Sequence, residues 1–344
     1  MTFGCSSFTW ETEDGNHLLG RTYDQFGDLK QNRIAHIPCG YRMKTEICQQ
    51  SSHAVVTKYA CAGMAVTGLH TPVMVDGINE KGLMGALLNF PGYAVYDTQR
   101  NGRNLNIHPG FLIGYLLGQC SGVEEVIGRI PFLNLTREKI FGHVMEVHYI
   151  FSDTTGRAVI IEPSEEGIRI HRDSLGVMTN SPDYPWHRTN LRNYLSVTNL
   201  HTPPKEILGS EFTCFGSGTG GGFGLPGDYS SPSRFVRMAL TKNFAVKGRD
   251  ELDGVTKMFH CFASVDIPEG IMKASPDQND YEQTLCISVC CAESLTYYFS
   301  TARNRRISAL SLKRECGSRE ISFHELSEKQ DILYRNVPQH IPRP

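Results

Sequence analysis

The chain has 344 residues, a formal net charge of -2, 40% hydrophobic residues and 20% charged residues. This composition is that of an ordinary folded protein long enough for one large domain, and it offers no basic surface for nucleic acid. No apolar run is long enough to cross a bilayer, and the chain does not open with a basic segment followed by an apolar core. We therefore expect no membrane insertion and no secretory signal.

The 11 cysteines are odd in number and scattered along the chain. This pattern argues against a disulfide framework and favours reduced thiols in a cytosol. There is no C-x-x-C motif, and the adjacent Cys290 and Cys291 would point to opposite faces of a strand, which makes them poor co-ligands. We predict a bacterial cytoplasmic location and no metal site.

The first predicted element is a β-hairpin. Residues 7–12 have strand-type side chains, residues 13–16 carry turn residues, and the strand pattern resumes over residues 17–22. This hairpin places Cys5 at the start of one strand and Arg21 and Asp24 near the end of its antiparallel partner. We expect the three residues to be neighbours, with Arg21 opposite Cys5.

Blocks of strands and blocks of helices follow. A second hairpin is predicted over residues 73–77 and 83–90, helices over residues 110–120, 123–130, 185–195, 232–244 and 255–264, and strands over residues 146–152, 157–162, 167–171, 176–179, 284–291, 296–300 and 306–312. Because the elements alternate in blocks rather than singly, antiparallel sheets covered by helices are favoured over a doubly wound parallel sheet.

One stretch is rich in glycine, residues 216–224. It contains a G-x-G-x-x-G match, but the match lacks the surrounding strand-then-helix unit that a dinucleotide site needs. We predict a flexible or tightly turning loop near the functional site.

Cys5 stands close to the start of the chain. If residues 1–4 were removed, its thiol would lie beside its own free α-amine, whose pKa of about 7.7–8.0 suits proton transfer near neutral pH. One side chain would then supply the nucleophile and the same residue's nitrogen the base. The alternative is that Cys5 is a small buried hydrophobic residue, as most free cysteines are.

Six motifs, taken together and in this order, carry a family resemblance. They are Gly4-Cys5-Ser6-Ser7, Arg21-Thr22-Tyr23-Asp24, Asp76-Gly77-Ile78-Asn79-Glu80-Lys81-Gly82-Leu83, Asn89-Phe90-Pro91-Gly92-Tyr93-Ala94, Gly176-Val177-Met178-Thr179-Asn180-Ser181-Pro182 and Leu225-Pro226-Gly227-Asp228-Tyr229-Ser230-Ser231-Pro232-Ser233-Arg234-Phe235. From Cys5 to about Asp331 the chain resembles the choloylglycine hydrolase family of bile salt hydrolases and penicillin V acylases, which are N-terminal nucleophile hydrolases.

The resemblance implies an α+β fold in four layers, αββα, with two stacked antiparallel sheets flanked by helices. It also implies a pro-segment of residues 1–4, a single domain over residues 5–344, and an enzyme that needs no metal or organic cofactor. Such enzymes hydrolyse linear non-peptide amide bonds, so the partner is a small-molecule amide. The family usually forms homotetramers, and we expect one here.

Three site residues lie near the start of the chain. The resemblance makes Cys5 the nucleophile, with its α-amine as proton acceptor and later donor. Arg21 matches an arginine beside the thiol, where a fixed cation favours the thiolate and lowers its pKa. Asp24 matches the aspartate that holds the amine. Taken alone, Arg21 could be a surface cation and Asp24 a turn or cap residue.

The other three site residues come from distant motifs. Asn89 and Asn180 match the positions that stabilise the negative oxygen of the tetrahedral intermediate, and Arg234 matches an arginine that completes the network. Donors aimed at such an oxygen are worth roughly 3–4 kcal/mol each. Isolated asparagines near strand ends are usually turn formers, and Arg234 could be a helix-surface cation.

The start of the chain departs from the simplest family pattern. Many members have cysteine directly after methionine, whereas here residues 1–4 must leave. Some members remove such a short pro-segment autocatalytically at a Gly-Cys bond. We predict the same here, with Cys5 as the attacking group.

The acyl part of the substrate is expected to be large and apolar. Loops rich in aromatic and aliphatic residues would hold it, and the candidates are Phe26, Leu88, Phe90 and Tyr93. Equally, these residues could belong to the core.

The choice of substrate within the family rests on two features. Residues 176–190 and the short pro-segment look like Gram-positive penicillin V acylases, whereas Asn89 looks more like bile salt hydrolases, because penicillin V acylases often have tyrosine there. We favour conjugated bile salts, with penicillin V as a second substrate and acyl-homoserine lactones as a third. Two other readings stay open: a non-catalytic ligand-binding homologue, and a Cys-His hydrolase using Cys214.

Overall fold

Two large antiparallel sheets dominate the structure, a computed structural model that describes residues 4–47, 54–140, 142–214, 221–273, 275–277, 279–313 and 320–335. In chain order the strands of the first half are β1 (Cys5–Glu11), β2 (His17–Phe26), β3 (Asn32–Ile37), β4 (Arg42–Lys44), β5 (Ala54–Val56), β6 (Cys61–Val66), β7 (Val73–Met74), β8 (Asp76–Asn79), β9 (Met84–Asn89), β10 (Leu105–Ile107), β11 (Leu133–Leu135), β12 (Lys139–Ile140) and β13 (His143–Val144).

The second half continues with shorter and longer strands and most of the helices. Its strands are β14 (Val147–Ser152), β15 (Ala158–Ser164), β16 (Gly167–His171), β17 (Val177–Met178), β18 (Lys205–Ile207), β19 (Ser210–Phe212), β20 (Met272–Lys273), β21 (Tyr281–Cys291), β22 (Thr296–Thr301), β23 (Ser308–Ser311) and β24 (Ser322–His324). The α-helices of the whole chain are α1 (Leu112–Gln119), α2 (Val123–Arg129), α3 (Tyr184–Asn190), α4 (Ser231–Phe244) and α5 (Glu251–Phe262).

The first sheet carries the start of the chain. Its seven strands run in the order β17-β1-β2-β21-β22-β23, and β20 pairs with the free end of β21. Within the predicted hairpin, Cys5 pairs with Tyr23 and Arg21 pairs with Ser7. The hairpin is confirmed, but the prediction that Arg21 lies opposite Cys5 is wrong by two residue pairs. Arg21 is a diagonal neighbour that reaches Cys5 through its long side chain.

The second sheet has nine strands in the order β16-β15-β14-β9-β8-β6-β3-β24, with β7 paired to β6. It stacks on the first sheet through contacts of β9 with β1 and β2 and of β8 with β21 and β22. Helix α1 covers its outer face, while α4 and α5 cover the outer face of the first sheet. The layers therefore follow the order helix, sheet, sheet, helix, which confirms the αββα fold.

The inner position of both sheets explains their sequence pattern. A strand covered on both faces has no solvent side, so its residues do not alternate between apolar and polar. In β14 every residue is buried, and in β1 every residue except Glu11 is buried. Polar residues on these strands therefore need partners inside the protein.

The predicted helices occur with small changes of boundary. Helix α4 begins at Ser231, one residue before the predicted start. Helix α5 begins at Glu251, four residues earlier than predicted, because the Asp250 side chain caps it by accepting a hydrogen bond from the Asp253 amide at 2.9 Å. Strands β3 to β6, β10 to β13, β18 to β20 and β24 were not predicted, and most of the glycine-rich loop lies outside the described residues. Among the helices of the described ranges, none combines the length and the apolar character that a membrane crossing needs.

Candidate active site

Cys5 opens β1 and is 1% exposed. Arg21 Nη2 donates a hydrogen bond to its Sγ at 3.1 Å. The backbone nitrogen of Cys5 donates to Asn180 Oδ1 at 2.9 Å, and the Cys5 carbonyl oxygen accepts from Arg234 Nη1 at 2.5 Å. Three of the residues expected near the thiol therefore contact Cys5 directly, although they come from three separate parts of the chain.

The guanidinium of Arg21 joins the two sheets. Nη1 lies 3.2 Å from the Val75 carbonyl oxygen and 3.6 Å from Asp76 Oδ2, both on the second sheet's side of the interface. Arg21 is 2% exposed, which excludes the surface-cation alternative. Asp76 also accepts hydrogen bonds at 2.7 Å from the hydroxyls of Ser288 and Tyr297, so its carboxylate is fixed while it faces Arg21. The sequence motif contained Asp76, but nothing in the sequence indicated this contact.

Opposing effects act on the pKa of the Cys5 thiol. Burial raises its pKa, the neighbouring Arg21 lowers it, and the carboxylate of Asp24 raises it, with a net shift upward. Arg21 therefore acts in the expected direction but does not outweigh burial while residue 4 is attached. A buried thiol with a raised pKa is a poor nucleophile at neutral pH without a base close by.

Asp24 lies on the opposite face of β2 from Arg21. The pairing of β2 with β21 shifts register between Tyr23 and Asp24. The Asp24 carboxylate accepts hydrogen bonds from Thr284 Oγ1 at 2.7 Å and from Thr22 Oγ1 at 3.2 Å. Burial raises the pKa of Asp24, against the lowering effect of Arg234. Two hydroxyl donors therefore fix a fully buried acid next to the first residue of β1.

Arg234 and Asn180 form the other wall of the site. Arg234 Nη2 donates to Asn180 Oδ1 at 2.7 Å, and Nη1 donates to Ser6 Oγ at 2.9 Å. Arg234 is 3% exposed, so it is not a helix-surface cation. Its Nε donates to the Tyr229 carbonyl oxygen at 2.9 Å, which fixes the orientation of the guanidinium plane.

The two asparagines lie side by side. Asn180 Nδ2 donates to the carbonyl oxygen of Asn89, the last residue of β9, at 2.8 Å. The backbone of Asn180 is held on both sides, by Ser231 Oγ on its amide at 2.9 Å and by His187 Nε2 on its carbonyl at 2.8 Å. Burial lowers the pKa of His187 to about 4, so its ring is neutral at pH 7. One short loop therefore presents a side-chain amide in a fixed direction.

The four residues expected to bind the acyl group fall into two sets. Leu88 and Phe90 are 0% and 1% exposed, and the Phe90 ring stacks on His148 with centroids 4.3 Å apart. This burial matches the core alternative for these two residues. Tyr93 is 43% exposed and Phe26, at the end of β2, is half-buried, so these two have surface available to a ligand.

Cys214 has none of these surroundings. It is exposed and follows β19, and among the contacts of the described residues none joins it to a histidine. This arrangement gives no support to a Cys-His hydrolase built on Cys214.

Two stacked antiparallel sheets between helices, with a cysteine opening an inner strand, define the N-terminal nucleophile hydrolase fold. Residues 5–317 match the family described as linear amide C–N hydrolases, choloylglycine hydrolase family. The chain belongs to this family, and it is an enzyme of the amide-hydrolysing kind.

Relatives and solved structures agree with this assignment. The chain is similar to a bile salt hydrolase/transferase of Clostridium perfringens, with 31% identity over 96% of this chain and 100% of that protein. A bile salt hydrolase/transferase of Lactiplantibacillus plantarum is 32% identical over 90% of this chain and 93% of that protein. A crystal structure of a conjugated bile acid hydrolase variant from Clostridium perfringens matches with a TM-score of 0.87, 29% identity and coverage of 96% and 100%.

A more distant structure shares the fold. Penicillin V acylase from Agrobacterium tumefaciens matches with a TM-score of 0.69 and 22% identity, over 90% of this chain and 87% of that one.

Proposed function

We propose that this protein is a cysteine amidase that hydrolyses conjugated bile salts into a free bile acid and glycine or taurine. The observation that carries the proposal is the set of contacts on Cys5: Arg21 on its sulfur, Asn180 on its nitrogen and Arg234 on its carbonyl. The names and the identity of the bile salt hydrolases to which the chain is similar support the substrate class.

Maturation comes first in this proposal. Cys5 Sγ attacks the carbonyl carbon of Gly4, a C–S bond forms, the C–N bond to Cys5 breaks, and the thiol proton passes to the Cys5 nitrogen. Water then hydrolyses the thioester and releases residues 1–4 as an acid. The remaining domain over residues 5–344 begins with a free α-amine, which is the base the buried thiol lacks in the intact chain.

Turnover repeats this chemistry on an external amide. The α-amine takes the thiol proton, Sγ attacks the substrate carbonyl, and the negative oxygen is met by the side-chain amides of Asn180 and Asn89, each worth about 3–4 kcal/mol. Arg21 stabilises the thiolate, and Asp24 orients the amine that later protonates the leaving group. Water activated by the same amine releases the bile acid and regenerates Cys5.

The test compares substrates in parallel. Release of amine and acid from glycocholate, taurocholate and penicillin V is measured for the wild type, with Cys5→Ala as the blank and Cys214→Ser as the matched control. Faster cleavage of the bile salts, retained in Cys214→Ser, is the expected result. Faster cleavage of penicillin V would overturn the bile-salt assignment and would count against the weight given to Asn89. No cleavage of any amide would favour a ligand-binding homologue.

The assembly and the location are part of the same proposal. We propose a homotetramer in the bacterial cytoplasm, on the basis of the family resemblance and of a composition that favours reduced thiols. Light scattering on the purified protein should give four times the mass of one chain. A monomer at micromolar concentration would contradict it.

A further inference from the structure

Residue 4 is held by an acid from the far end of the chain. The Gly4 N–H donates a hydrogen bond to Glu282 Oε1, across 278 positions of sequence. Both residues are buried, and Glu282 is 5% exposed. The contact lies immediately before the bond that maturation must break, so it bears on that step and not on the recognition of a substrate.

The space around Gly4 is too tight for a Cβ atom unless a neighbouring side chain moves. A Cβ atom on Gly4 would lie 2.5 Å from Glu282 Oε1, a distance that real Cβ contacts do not show. The next nearest atoms are Arg234 Nη2 at 3.2 Å and Asp24 Oδ2 at 3.3 Å, both tight but tolerable with small shifts. Of the three, the Glu282 carboxylate is therefore the group that would have to move furthest to admit a side chain at position 4.

Strand pairing on both sides fixes the backbone of Glu282. It lies in β21, where it pairs with Phe26 of β2 on one side and Met272 of β20 on the other. With strands on both sides its backbone is fixed, so any relief of a contact at position 4 has to come from rotation of its buried side chain. Burial raises the pKa of Glu282, the Gly4 N–H lowers it, and the nearby carboxylate of Asp24 raises it, with a net shift upward.

We propose that Glu282 positions Gly4 for cleavage of the Gly4–Cys5 bond and restricts residue 4 to glycine. This inference rests on the self-removal of residues 1–4 in the proposed function. Glu282 takes no part in bond making. It accepts the N–H of the residue whose carbonyl carbon Cys5 Sγ attacks, and so limits rotation of that carbonyl. The acid is a positioning residue for maturation.

The test follows loss of residues 1–4 by intact mass in a time course of cell-free synthesis. The chains are the wild type, Glu282→Ala, Glu282→Gln, Gly4→Ala and the double variant Glu282→Ala/Gly4→Ala, with Glu325→Ala as the exposed-acid control. Glu282→Ala should slow the cleavage by about tenfold, the scale of one charge-assisted hydrogen bond. Glu282→Gln should keep most of the rate, because its amide oxygen can still accept the Gly4 N–H.

The double variant gives the sharpest result. Gly4→Ala should slow cleavage by about tenfold or more because its methyl group overlaps Glu282. In the Glu282→Ala background the overlap is gone, so Gly4→Ala should add little further slowing. Multiplicative defects would mean that the two residues act independently and would overturn the proposal, as would a normal rate in Glu282→Ala.

The wild type separates this inference from the proposed function. A wild-type chain that never loses residues 1–4 overturns the maturation step itself, and this inference with it. A wild type that matures normally beside an equally fast Glu282→Ala overturns the inference alone. If Glu282→Ala does not fold, the conservative Glu282→Gln and the single Gly4→Ala variant still decide the question.

Discussion

Cys5 and Cys290 lie in the same sheet and are equally well buried, yet their surroundings differ. Burial raises the thiol pKa of both residues. For Cys5 the guanidinium of Arg21 opposes that effect, whereas for Cys290 the carboxylate of Asp76 and the neighbouring Cys291 add to it. The comparison teaches that burial alone makes a thiol inert, and that in this pair the guanidinium donating to the sulfur sets the candidate nucleophile apart from the core cysteine.

Their positions in the strands differ as well. Cys290 lies inside β21, between Leu19 on one side and Tyr297 on the other. Cys5 is the first residue of β1, and its nitrogen donates to the side chain of Asn180 instead of a neighbouring strand. The peptide bond before Cys5 therefore lies outside β1, and its cleavage does not cut the strand.

The largest expected effect is the loss of the Cys5 sulfur. Cys5→Ala should lower bile-salt turnover by at least about 10⁴-fold, the scale of removing a covalent nucleophile. Cys290→Ala should stay within twofold of the wild type. Glycine release from glycocholate measures both variants, and substantial turnover by Cys5→Ala would break the comparison.

Loss of the Asn180 side chain should give the next largest effect. In a chain shortened so that Met1 precedes Cys5 directly, Asn180→Ala should lower kcat by about 10²–10³-fold, because the proposed oxyanion donor is removed. The matched control is the exposed Asn193→Ala. If both variants kept the wild-type kcat, Asn180 would be no more than a structural partner of Arg234.

Arg21 tests the electrostatic part of the comparison. Because Arg21 lowers the Cys5 pKa, Arg21→Gln should move the midpoint of Cys5 alkylation by iodoacetamide upward by about one pH unit or more. The rate at pH 7 should then fall about tenfold. Peptide masses identify the alkylated residue, with Cys290 as the unreactive internal reference. An unchanged midpoint in a folded variant would contradict the assigned influence of Arg21.

The smallest expected effect is that of Cys290→Ala on stability. Cys290→Ala should lower the free energy of unfolding by about 1 kcal/mol, the scale of one methyl-sized group removed from a core. Urea denaturation of the variant beside the wild type measures the difference. A loss of turnover without a loss of stability would show that the core thiol takes part in the reaction.

Local sequence patterns predicted the local structure. The β1–β2 hairpin follows from strand-type residues around a turn, and both strands occur where they were expected. The register of the strands was harder to predict from the sequence, because the strand patterns do not reveal the irregularity between Tyr23 and Asp24 where β2 pairs with β21. Glu282 was missed altogether, since its partner Gly4 lies at the other end of the chain.

The distant members of the site came from the family resemblance and not from the physical pattern. Arg234 and the Cys5 carbonyl are 229 positions apart, and no local propensity indicates such a contact. For a related reason, the sequence did not show which of the four apolar candidates bind the acyl group and which belong to the core. Strand β9 is covered on both faces, so its pattern does not separate a ligand-facing residue from a core residue such as Leu88.

The link that Arg21 makes between the sheets has a consequence for how the protein denatures. The same guanidinium contacts the sulfur of Cys5 and the Val75 carbonyl of the opposite layer. Cys5 and Arg21 both belong to the first sheet, so an opening that separates the layers leaves them together but removes the Val75 and Asp76 contacts that fix the guanidinium, and it parts Asn180 from Asn89. No partly unfolded species with separated layers therefore retains an intact site. Activity and global structure should vanish in one cooperative transition, and the amides of β1 and β2 should exchange with solvent only through global unfolding.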